Sequence, residues 1–245
     1  MHPFAHPPCA PGLSRLPAWL PRRDAVLLLL TVLLFTVLPQ LDLELSRLFY
    51  SYGRNVFIGR ELWINRFIYQ AIPVIGWSVT VGLLIAFFAC RLSRRTAWRA
   101  WTPRLAFLLA VMVAGPGLVA TALKDHWHRA RPVQLAEFDG RLSFTPPLRP
   151  TDQCGSNCSF VSGHAMVGFC FMALAWLSSS HRRRLMMLGV AAGAAVGLAR
   201  MMQGGHFLSD VMFAGWIVYG LCRVFDAWLL GQRPSGRTAA QVVAD

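Results

Sequence analysis

Three short clusters of polar side chains interrupt a chain that is otherwise strongly apolar. Together they contain three basic side chains, two histidines, one carboxylate and a Ser-Gly pair: Lys124 and Arg131; Ser162, Gly163 and His164; Arg200, His206 and Asp210. Basic side chains bind the oxygens of a phosphoryl group, and a histidine can act as a nucleophile or a general acid. The combination therefore points to chemistry on a phosphate group.

The first cluster lies at the end of an apolar stretch. Lys124 and Arg131 are seven residues apart, nearly two helical turns, so both lie on one helix face if the helix continues that far. Pro132 is expected to end the helix. The structural alternative is a lysine that reaches the membrane surface beside a solvated basic loop.

The second cluster has the residue types of an anion-binding helix start. The third has the spacing of a histidine that is held by a carboxylate. Ser162, Gly163 and His164 open an apolar stretch, and exposed N–H groups at a helix start attract an anion such as phosphate. His206 and Asp210 are four residues apart, so on a helix the carboxylate can hold one imidazole nitrogen and leave the other as base or nucleophile. The structural alternatives are a Ser N-cap beside a buried His, and a helix-capping Asp beside an interfacial His.

The composition is that of an integral membrane protein. Of the 245 residues, 55% are hydrophobic and only 14% are charged, against roughly 25% charged in an ordinary soluble domain. A cytosolic globule, a disordered chain and a disulfide-dense secreted fold are therefore excluded. The net charge of +13 suits an anionic surface, and the long apolar runs favour a membrane over a nucleic acid as the partner.

Six apolar runs are long enough to cross a bilayer as helices, since about 20 residues span its core. They lie at about residues 25–41, 67–90, 105–123, 160–180, 185–202 and 207–230. The predicted fold class is all-α, an integral membrane bundle of six transmembrane helices. This six-span domain is predicted to cover residues 25–230, between cytoplasmic tails at 1–24 and 231–245. Gly189, Gly193 and Gly197 predict close packing of the fifth helix.

Basic residues near the span ends predict the orientation, since cytoplasmic loops are enriched in them. Arginines cluster at the N-terminus, at 91–104, at 182–184 and in the C-terminal segment, so both termini are predicted to lie inside. The segments 42–66, 124–159 and 200–206 then lie outside. All three polar clusters would meet on this outer face, which favours one shared site over three separate structural roles.

The motifs resemble those of a known family, the type 2 phosphatidic acid phosphatases, which are relatives of vanadium haloperoxidases and some acid phosphatases. The family pattern is Lys, six residues, Arg-Pro; then Pro-Ser-Gly-His; then Ser-Arg, five residues, His, three residues, Asp. The stretch from Lys124 to Arg131 and Pro132 fits fully. Val161 replaces the Pro of the second motif, and Ala199 replaces the Ser of the third. The order and the internal spacings agree.

The resemblance implies a role for each matching residue. His206 would be the nucleophile that forms a phosphohistidine, Asp210 would support it, and His164 would be the general acid for the leaving alcohol. The phosphate oxygens would be held by three basic side chains and a Ser-Gly cradle: Lys124, Arg131, Ser162, Gly163 and Arg200. The departures at positions 161 and 199 remove a fixed backbone angle and a hydroxyl, which affects fine geometry and not the chemistry.

No metal or other cofactor is expected. Five side chains are possible zinc ligands: His126, His128, His164, His206 and Asp125. However, the cationic clamp of Lys124, Arg131 and Arg200 would repel a divalent ion, and the chemistry that the resemblance implies is metal-free. Cys154 and Cys158 precede the second motif in the outer loop. If that loop faces an oxidising compartment, the two cysteines can form a disulfide.

The predicted function is a lipid phosphate phosphatase, a phosphoric monoester hydrolase on the outer, periplasmic face of a bacterial inner membrane. The stretch from Cys158 to His164 resembles lipid A phosphatases of the family, and undecaprenyl pyrophosphate, phosphatidylglycerophosphate and phosphatidic acid stay open as substrates. The alternatives are a lipid phosphotransferase with the same site, and an anion or lipid transporter. A transporter would need a pair of broken spans in two similar halves, which the chain lacks. The oligomeric state does not follow from the sequence.

Overall fold

The computed structural model describes residues 21–231 of the chain. The predicted tails, 1–24 and 231–245, lie almost entirely outside these residues. Within them the chain forms α-helices in this order: α1, Arg22–Val37; α2, Leu41–Arg47; α3, Trp63–Leu92; α4, Thr96–Arg99; α5, Thr102–Met112; α6, Ala120–Trp127; α7, Gly163–Phe169; α8, Leu174–Leu177; α9, Arg182–Met202; and α10, Leu208–Phe225. The prediction of a mainly helical fold is confirmed.

The remaining elements are short. Two two-residue strands, β1 at Tyr50–Ser51 and β2 at Val56–Phe57, form an antiparallel hairpin that precedes a 3₁₀ turn at Ile58–Arg60. Further 3₁₀ turns lie at Pro132–Gln134, Ala136–Phe138 and Cys170–Ala173, and π-helical turns at Val113–Val119 and Asp226–Leu230. The hairpin is a small exception to the predicted all-α class.

Four helical stretches among the described residues are long and apolar enough to cross a membrane: Trp63–Leu92, Thr96–Gln134, Arg182–Met202 and Leu208–Leu230. The helices α1 and α2 would form a fifth if they count as one span, although they meet at an angle of 77°. The sequence predicts six. The difference lies in the run 160–180, whose apolar helical part is Gly163–Leu177, about 22 Å long at 1.5 Å per residue.

The short central segment is shielded by the rest of the bundle. Ser162 and Ser178, which flank it, both have extended backbone, so the helix cannot continue at either end. Most side chains of α7 are buried, including Met166 and Phe169. The segment therefore packs against protein on most sides, which suits a helix that is shorter than the bilayer core is thick.

Glycines on α9 let α7 approach it closely, as the sequence predicts. A Cβ atom at Gly193 would lie 2.2 Å from the ring of Phe169, and a Cβ atom at Gly197 would lie 2.3 Å from Val211 on α10. Gly189 has equally close neighbours. No side chain fits at these positions, so α9 forms the seam against which the other site-bearing helices pack.

The helix that carries Lys124 ends earlier than predicted. It passes through Pro116 by a π-helical turn, since the ring has no N–H for the regular ladder. It then stops at Trp127, because His128 adopts a left-handed conformation with φ of 51°. The sequence placed Lys124 and Arg131 on one helix face only if the helix continued that far, and it does not. Tertiary contacts bring these two side chains together instead.

Residues 128–162 fold back over the ends of four helices. The carbonyl of Arg129 accepts from the Ser159 N–H at 2.8 Å, and the Ser162 N–H donates to the carbonyl of Asp210 at 3.2 Å. The Val133 N–H donates to the carbonyl of Gly204 at 3.0 Å. These bonds join the end of α6, the start of α7 and the turn between α9 and α10 at one end of the bundle.

Candidate active site

His206 lies in the turn between α9 and α10 and is buried. Its Nδ1 is 2.8 Å from the carbonyl oxygen of Ser159. A carbonyl only accepts, so Nδ1 carries the proton and Nε2 holds the lone pair of the neutral ring. Burial, followed by the positive charges of Arg131 and Arg200, lowers the pKa of His206 well below 6.5, although Asp210 opposes this. Nε2 has no hydrogen-bond partner among the described residues.

Asp210 lies in the first turn of α10 and supports His206 from the Nδ1 side. Its Oδ2 is 3.6 Å from Nδ1 of His206 and accepts hydrogen bonds from Ser159 Oγ at 2.5 Å and the Phe207 N–H at 2.9 Å. The pair does not lie on one helix, because α10 begins at Leu208. The sequence correctly predicts that the two side chains meet, but the direct partner of Nδ1 is the Ser159 carbonyl.

Arg129 holds Asp210 in place and is absent from the predicted site. Its side chain is fully buried, and it donates to Asp210 Oδ1 at 2.7 Å and to Asp42 Oδ2 at 2.8 Å. Further bonds go to Ser209 Oγ at 2.9 Å and to the carbonyl of Thr145 at 3.0 Å. A buried arginine between two carboxylates ties α2, the 128–162 segment and α10 into one unit.

Asp42 completes this buried network from the start of the chain. Its Oδ1 accepts the N–H of Ser209 at 2.9 Å, and its Oδ2 also accepts the Ser209 hydroxyl. The available sequence signal was a carboxylate at the end of the first apolar run, at membrane depth, where an ionisable side chain is costly without a partner. Its partner, Arg129, lies 87 residues further along the chain, so the sequence alone does not pair them.

Lys124 and Arg131 meet through Asn157. Lys124 Nζ donates to Asn157 Oδ1 at 3.1 Å, and Arg131 Nη2 donates to the same oxygen at 3.0 Å and to the Asn157 carbonyl at 2.6 Å. Arg131 Nη1 also reaches the carbonyl of Gly205 at 3.2 Å, next to His206. Asn157 thus presents acceptor oxygens to two of the predicted phosphate-binding side chains, which the sequence did not indicate.

Arg200 approaches the same place from the end of α9. Its guanidinium stacks on Tyr69 at 4.6 Å and donates to Gln203 Oε1. A Cβ atom at Gly205 would lie 2.5 Å from Arg200 Nη2, so the arginine lies flat against the backbone that precedes His206. Arg200 Nε is buried and has no partner among residues 21–231. A buried N–H without an acceptor is costly, so this nitrogen can take a further hydrogen-bond acceptor.

Ser162 and Gly163 lie beside Lys124. Ser162 caps α7, and its side chain accepts the Ala165 N–H at 3.4 Å, so the structural alternative of an N-cap serine is present. A Cβ atom at Gly163 would lie 3.9 Å from Lys124 Nζ. A glycine here therefore leaves the lysine ammonium and the start of α7 close to one another.

His164 is linked to the other predicted residues through Tyr69. Its Nε2 donates to the Tyr69 carbonyl at 3.2 Å, and its ring stacks on the Tyr69 ring at a centroid distance of 5.1 Å. Tyr69 also contacts Arg200. Within the described chain His164 forms no hydrogen bond with His206 or the three basic side chains. It borders an apolar cavity of about 460 Å³ between α3 and the π-helical turn.

Cys154 and Cys158 are joined by a disulfide. The bond closes a short ring that contains Asn157, and Cys158 precedes Ser159, the residue that holds His206 and Asp210. The pairing that the sequence allowed thus braces the loop beside the clamp. No group of three or more His, Cys, Asp or Glu side chains arranged to hold a metal occurs in residues 21–231.

Comparison with known proteins identifies the family. Residues 104–233 match the PAP2 superfamily, and this range includes all three motifs. The chain belongs to the PAP2 superfamily. The match covers more than half of the sequence. Of the side chains described above, Asp42 and Tyr69 lie before the matched range.

Several similar proteins in this superfamily are phosphatases. Lipid A 4′-phosphatase of Francisella tularensis subsp. novicida is 35% identical over 204 residues, which cover 76% of this chain and 88% of that protein. Lipid A 4′-phosphatase of Rhizobium etli is 39% identical over 111 residues, which cover 44% of this chain and 43% of that protein. Lipid A 1-phosphatase of Rhizobium etli is 30% identical over 180 residues, which cover 64% of this chain and 74% of that protein.

A solved structure shares the fold. The crystal structure of a transmembrane PAP2 type phosphatidylglycerolphosphate phosphatase from Bacillus subtilis superposes with a TM-score of 0.54 at 21% identity, covering 86% of this chain and 98% of that one. This PAP2 protein is thus a multi-pass membrane protein with a phosphatase fold. It is a phosphoric monoester hydrolase, as the sequence predicts.

Proposed function

We propose that this PAP2 protein removes a phosphate group from a membrane lipid through a phosphohistidine intermediate on His206. The observation that carries the proposal is the state of its imidazole. Nδ1 donates to the Ser159 carbonyl, the buried ring is neutral, and the Nε2 lone pair has no partner among the described residues. A nucleophile with a fixed tautomer and a free lone pair needs no separate base.

In the first step, Nε2 of His206 attacks phosphorus, a P–N bond forms and the P–O bond to the lipid alcohol breaks. Nδ1 keeps its proton, and the ring becomes positive as the bond forms. The Ser159 carbonyl and the Asp210 carboxylate lie 2.8 and 3.6 Å from Nδ1 and stabilise this charge. Arg129 fixes the carboxylate, so no reorganisation is needed when the charge develops.

Three cations surround the phosphate oxygens in this proposal. Arg200 offers its unpaired Nε, and Lys124 and Arg131 release the oxygens of Asn157 in exchange for phosphate oxygens. Ser162 and the Gly163 N–H complete the cradle beside Lys124. Charge-assisted hydrogen bonds of this kind are stronger than those to a neutral amide, so phosphate displaces Asn157 from the cations.

His164 is proposed to protonate the leaving alcohol. The ring enters this step as imidazolium: its Nε2–H donates to the Tyr69 carbonyl, and its Nδ1–H proton passes to the oxygen of the departing lipid alcohol, which leaves the ring neutral. A water then attacks the phosphohistidine, the P–N bond breaks, and His164 takes the proton that the water loses. Inorganic phosphate leaves, and His206 returns to its neutral state.

Lipid A is the first candidate substrate, acted on at its 4′-phosphate. Support comes from the relatives named lipid A 4′-phosphatase, one of which aligns over 88% of its own length. The apolar cavity next to His164 lies between α3 and the helix that carries Lys124, and it can accept acyl chains while the phosphate lies at the clamp. Keeping the chains in an apolar environment avoids a cost of about 0.8 kcal/mol per CH₂.

Release of inorganic phosphate from a panel of lipids tests this proposal. We expect the purified protein to dephosphorylate lipid A faster than phosphatidylglycerophosphate, phosphatidic acid or undecaprenyl pyrophosphate. The activity should survive chelators, because no step uses a metal. If phosphate were instead transferred to a second lipid without release to water, the protein would be a phosphotransferase, and no phosphate release from any of these lipids would contradict the proposal altogether.

We also propose six spans, with both termini inside and the site on the periplasmic face of the inner membrane. The pair α1 and α2 and the central α7–α8 segment would add two crossings to the four long helices, making one phosphatase domain over residues 25–230. The helix α9 has 21 residues, about 30 Å, so the arginines at its start lie a bilayer thickness from Arg200 at its end. Basic residues at that start favour the cytoplasmic side.

Labelling with a membrane-impermeant thiol reagent checks the orientation. In a variant without native cysteines, we expect Ser143→Cys to be labelled in cells with a permeabilised outer membrane and Arg183→Cys only after lysis. Both positions are exposed, so accessibility to the reagent depends on the side of the membrane. The reverse pattern would place the site in the cytoplasm and would contradict the proposal that the substrate lipid is reached from the periplasmic face.

A further inference from the structure

A cavity of about 440 Å³ extends from the clamp toward the start of α3. Arg131 and Arg200 line one part of it, and two further arginines, Arg60 and Arg66, line another. Among the described residues that line it, none is an Asp or a Glu. The cavity therefore presents more positive charge than the three-cation clamp alone.

The segment that carries Arg60 and Arg66 is docked firmly on the end of α9. Gly59 is buried, and a Cβ atom there would lie 2.5 Å from the carbonyl carbon of Met202, so only glycine permits this contact. Gln203 Nε2 donates to the Asn65 carbonyl at 2.8 Å, and Arg66 Nε donates to the Arg60 carbonyl at 3.0 Å. The backbone that carries these two exposed arginines is thus held in place next to the end of α9.

Neither Arg60 nor Arg66 has an acidic partner among residues 21–231. Their neighbour Arg54 forms an ion pair with Glu61, so the one carboxylate of this stretch is already used. A phosphate monoester brings at most about two negative charges at neutral pH. Four arginines line the cavity, so a dianion held by Arg131 and Arg200 leaves the positive charge of the other two for a second anionic group.

We propose that Arg60 and Arg66 bind a second phosphate on the headgroup of the same lipid. This inference rests on the proposed function and names a feature of its substrate. Arg66 and Tyr69 are three residues apart on α3, so they share a helix face. Tyr69 contacts both His164 and Arg200. A sugar headgroup that leaves the clamp past His164 and lies over Tyr69 therefore reaches Arg66 and then Arg60.

The acyl chains do not compete for this place. The apolar cavity beside His164 is lined by residues such as Ile72, Trp77 and Leu118, whereas the arginine-lined cavity adjoins the polar turn at Gln203 and Gly205. Tails and second phosphate thus have separate environments. The names of the relatives place phosphates of lipid A at the 4′ and 1 positions, so lipid A has the two phosphate groups that the cavity requires.

The test compares two lipids, lipid A with phosphates at 4′ and 1, and the same lipid with the 4′-phosphate only. We expect the double variant Arg60→Gln with Arg66→Gln to lower kcat/KM about tenfold for the bisphosphate and at most about threefold for the monophosphate. The matched control is Arg141→Gln with Arg149→Gln, which removes the same charge from exposed positions that do not line the cavity. It should lower kcat/KM for neither lipid by more than about twofold.

Other outcomes separate the two proposals. Equal losses on both lipids, or no loss on either, would overturn the second-phosphate site while leaving the phosphatase proposal intact. Stimulation of monophosphate cleavage by phosphatidylglycerol that disappears in the double variant would assign the arginines to a neighbouring lipid, which also overturns the inference. If the wild-type protein released phosphate from neither lipid, the proposed function itself would fail, and the second site with it.

Discussion

Replacing His206 with Gln or Ala is expected to lower phosphate release by about 10⁴-fold or more, because no other described side chain offers a lone pair at the same place. Gln keeps a polar side chain in the buried turn, and Ala removes it, so agreement between the two variants separates chemistry from packing. Nδ1 contacts only Ser159 and Asp210 on its own side, so the backbone of the turn should persist.

The measurement has two parts, turnover of lipid A and capture of the intermediate after brief incubation with ³²P-labelled lipid. Wild type should give an acid-labile, alkali-stable phosphoprotein, and both variants should give none. His126→Ala serves as control, since that exposed ring hydrogen-bonds, within residues 21–231, to the Ala122 carbonyl alone and should leave turnover within about twofold of wild type. A His206 variant that kept more than about a hundredth of the wild-type rate would rule out the covalent route.

Arg129→Met is expected to destabilise the protein by about 3–5 kcal/mol, because it leaves the buried carboxylates of Asp42 and Asp210 without their shared counter-charge. For a protein of this size that loss corresponds to a fall in Tm of about 10 °C. Turnover should fall as well, since Asp210 loses the bond that fixes it behind His206. Thermal unfolding in detergent, followed by tryptophan fluorescence, measures the first effect.

A second substitution shows whether charge is the cause. Adding Asp42→Asn to Arg129→Met removes one of the two unpaired carboxylates and should recover part of the lost Tm, a coupling that independent sites would not show. Arg54→Met is the matched control, because Arg54 also pairs with a carboxylate but is exposed, and its loss should cost less than about 1 kcal/mol. An Arg129 variant as stable as the Arg54 variant would contradict a structural role for the buried network.

Much of the fold follows from local patterns in the sequence. Long apolar runs predict α3, α9 and α10 because each residue of a membrane helix faces the same requirement, an apolar side chain and a satisfied backbone. The glycines of α9 predict close packing for a similar local reason. The run 160–180 is predicted as a full-length span, but its helical part is shorter. Its apolar composition reflects burial inside the bundle, and composition alone does not distinguish burial in protein from exposure to lipid.

The candidate site divides in the same way. The spacing of Lys124 with Arg131, and of His206 with Asp210, identifies the motif residues, and the structure brings these side chains close together. In both pairs, the contacts that bring the side chains together differ from the predicted ones. The helix α6 ends at Trp127, and Asn157 bridges the two cations. His206 lies ahead of α10, and its Nδ1 donates to the Ser159 carbonyl.

The sequence by itself determined the superfamily, the membrane class and the residue types available for phosphate chemistry, because motifs and hydropathy are properties of neighbouring positions. Only the tertiary structure decided what supports them: Arg129 between Asp42 and Asp210, Asn157 against the clamp, and Tyr69 between His164 and Arg200. The members of these pairs lie between 26 residues apart, for Arg131 and Asn157, and 131 residues apart, for Tyr69 and Arg200. Contacts over such distances depend on how the helices pack and leave no periodic signal in the sequence, so folding alone brings the partners together.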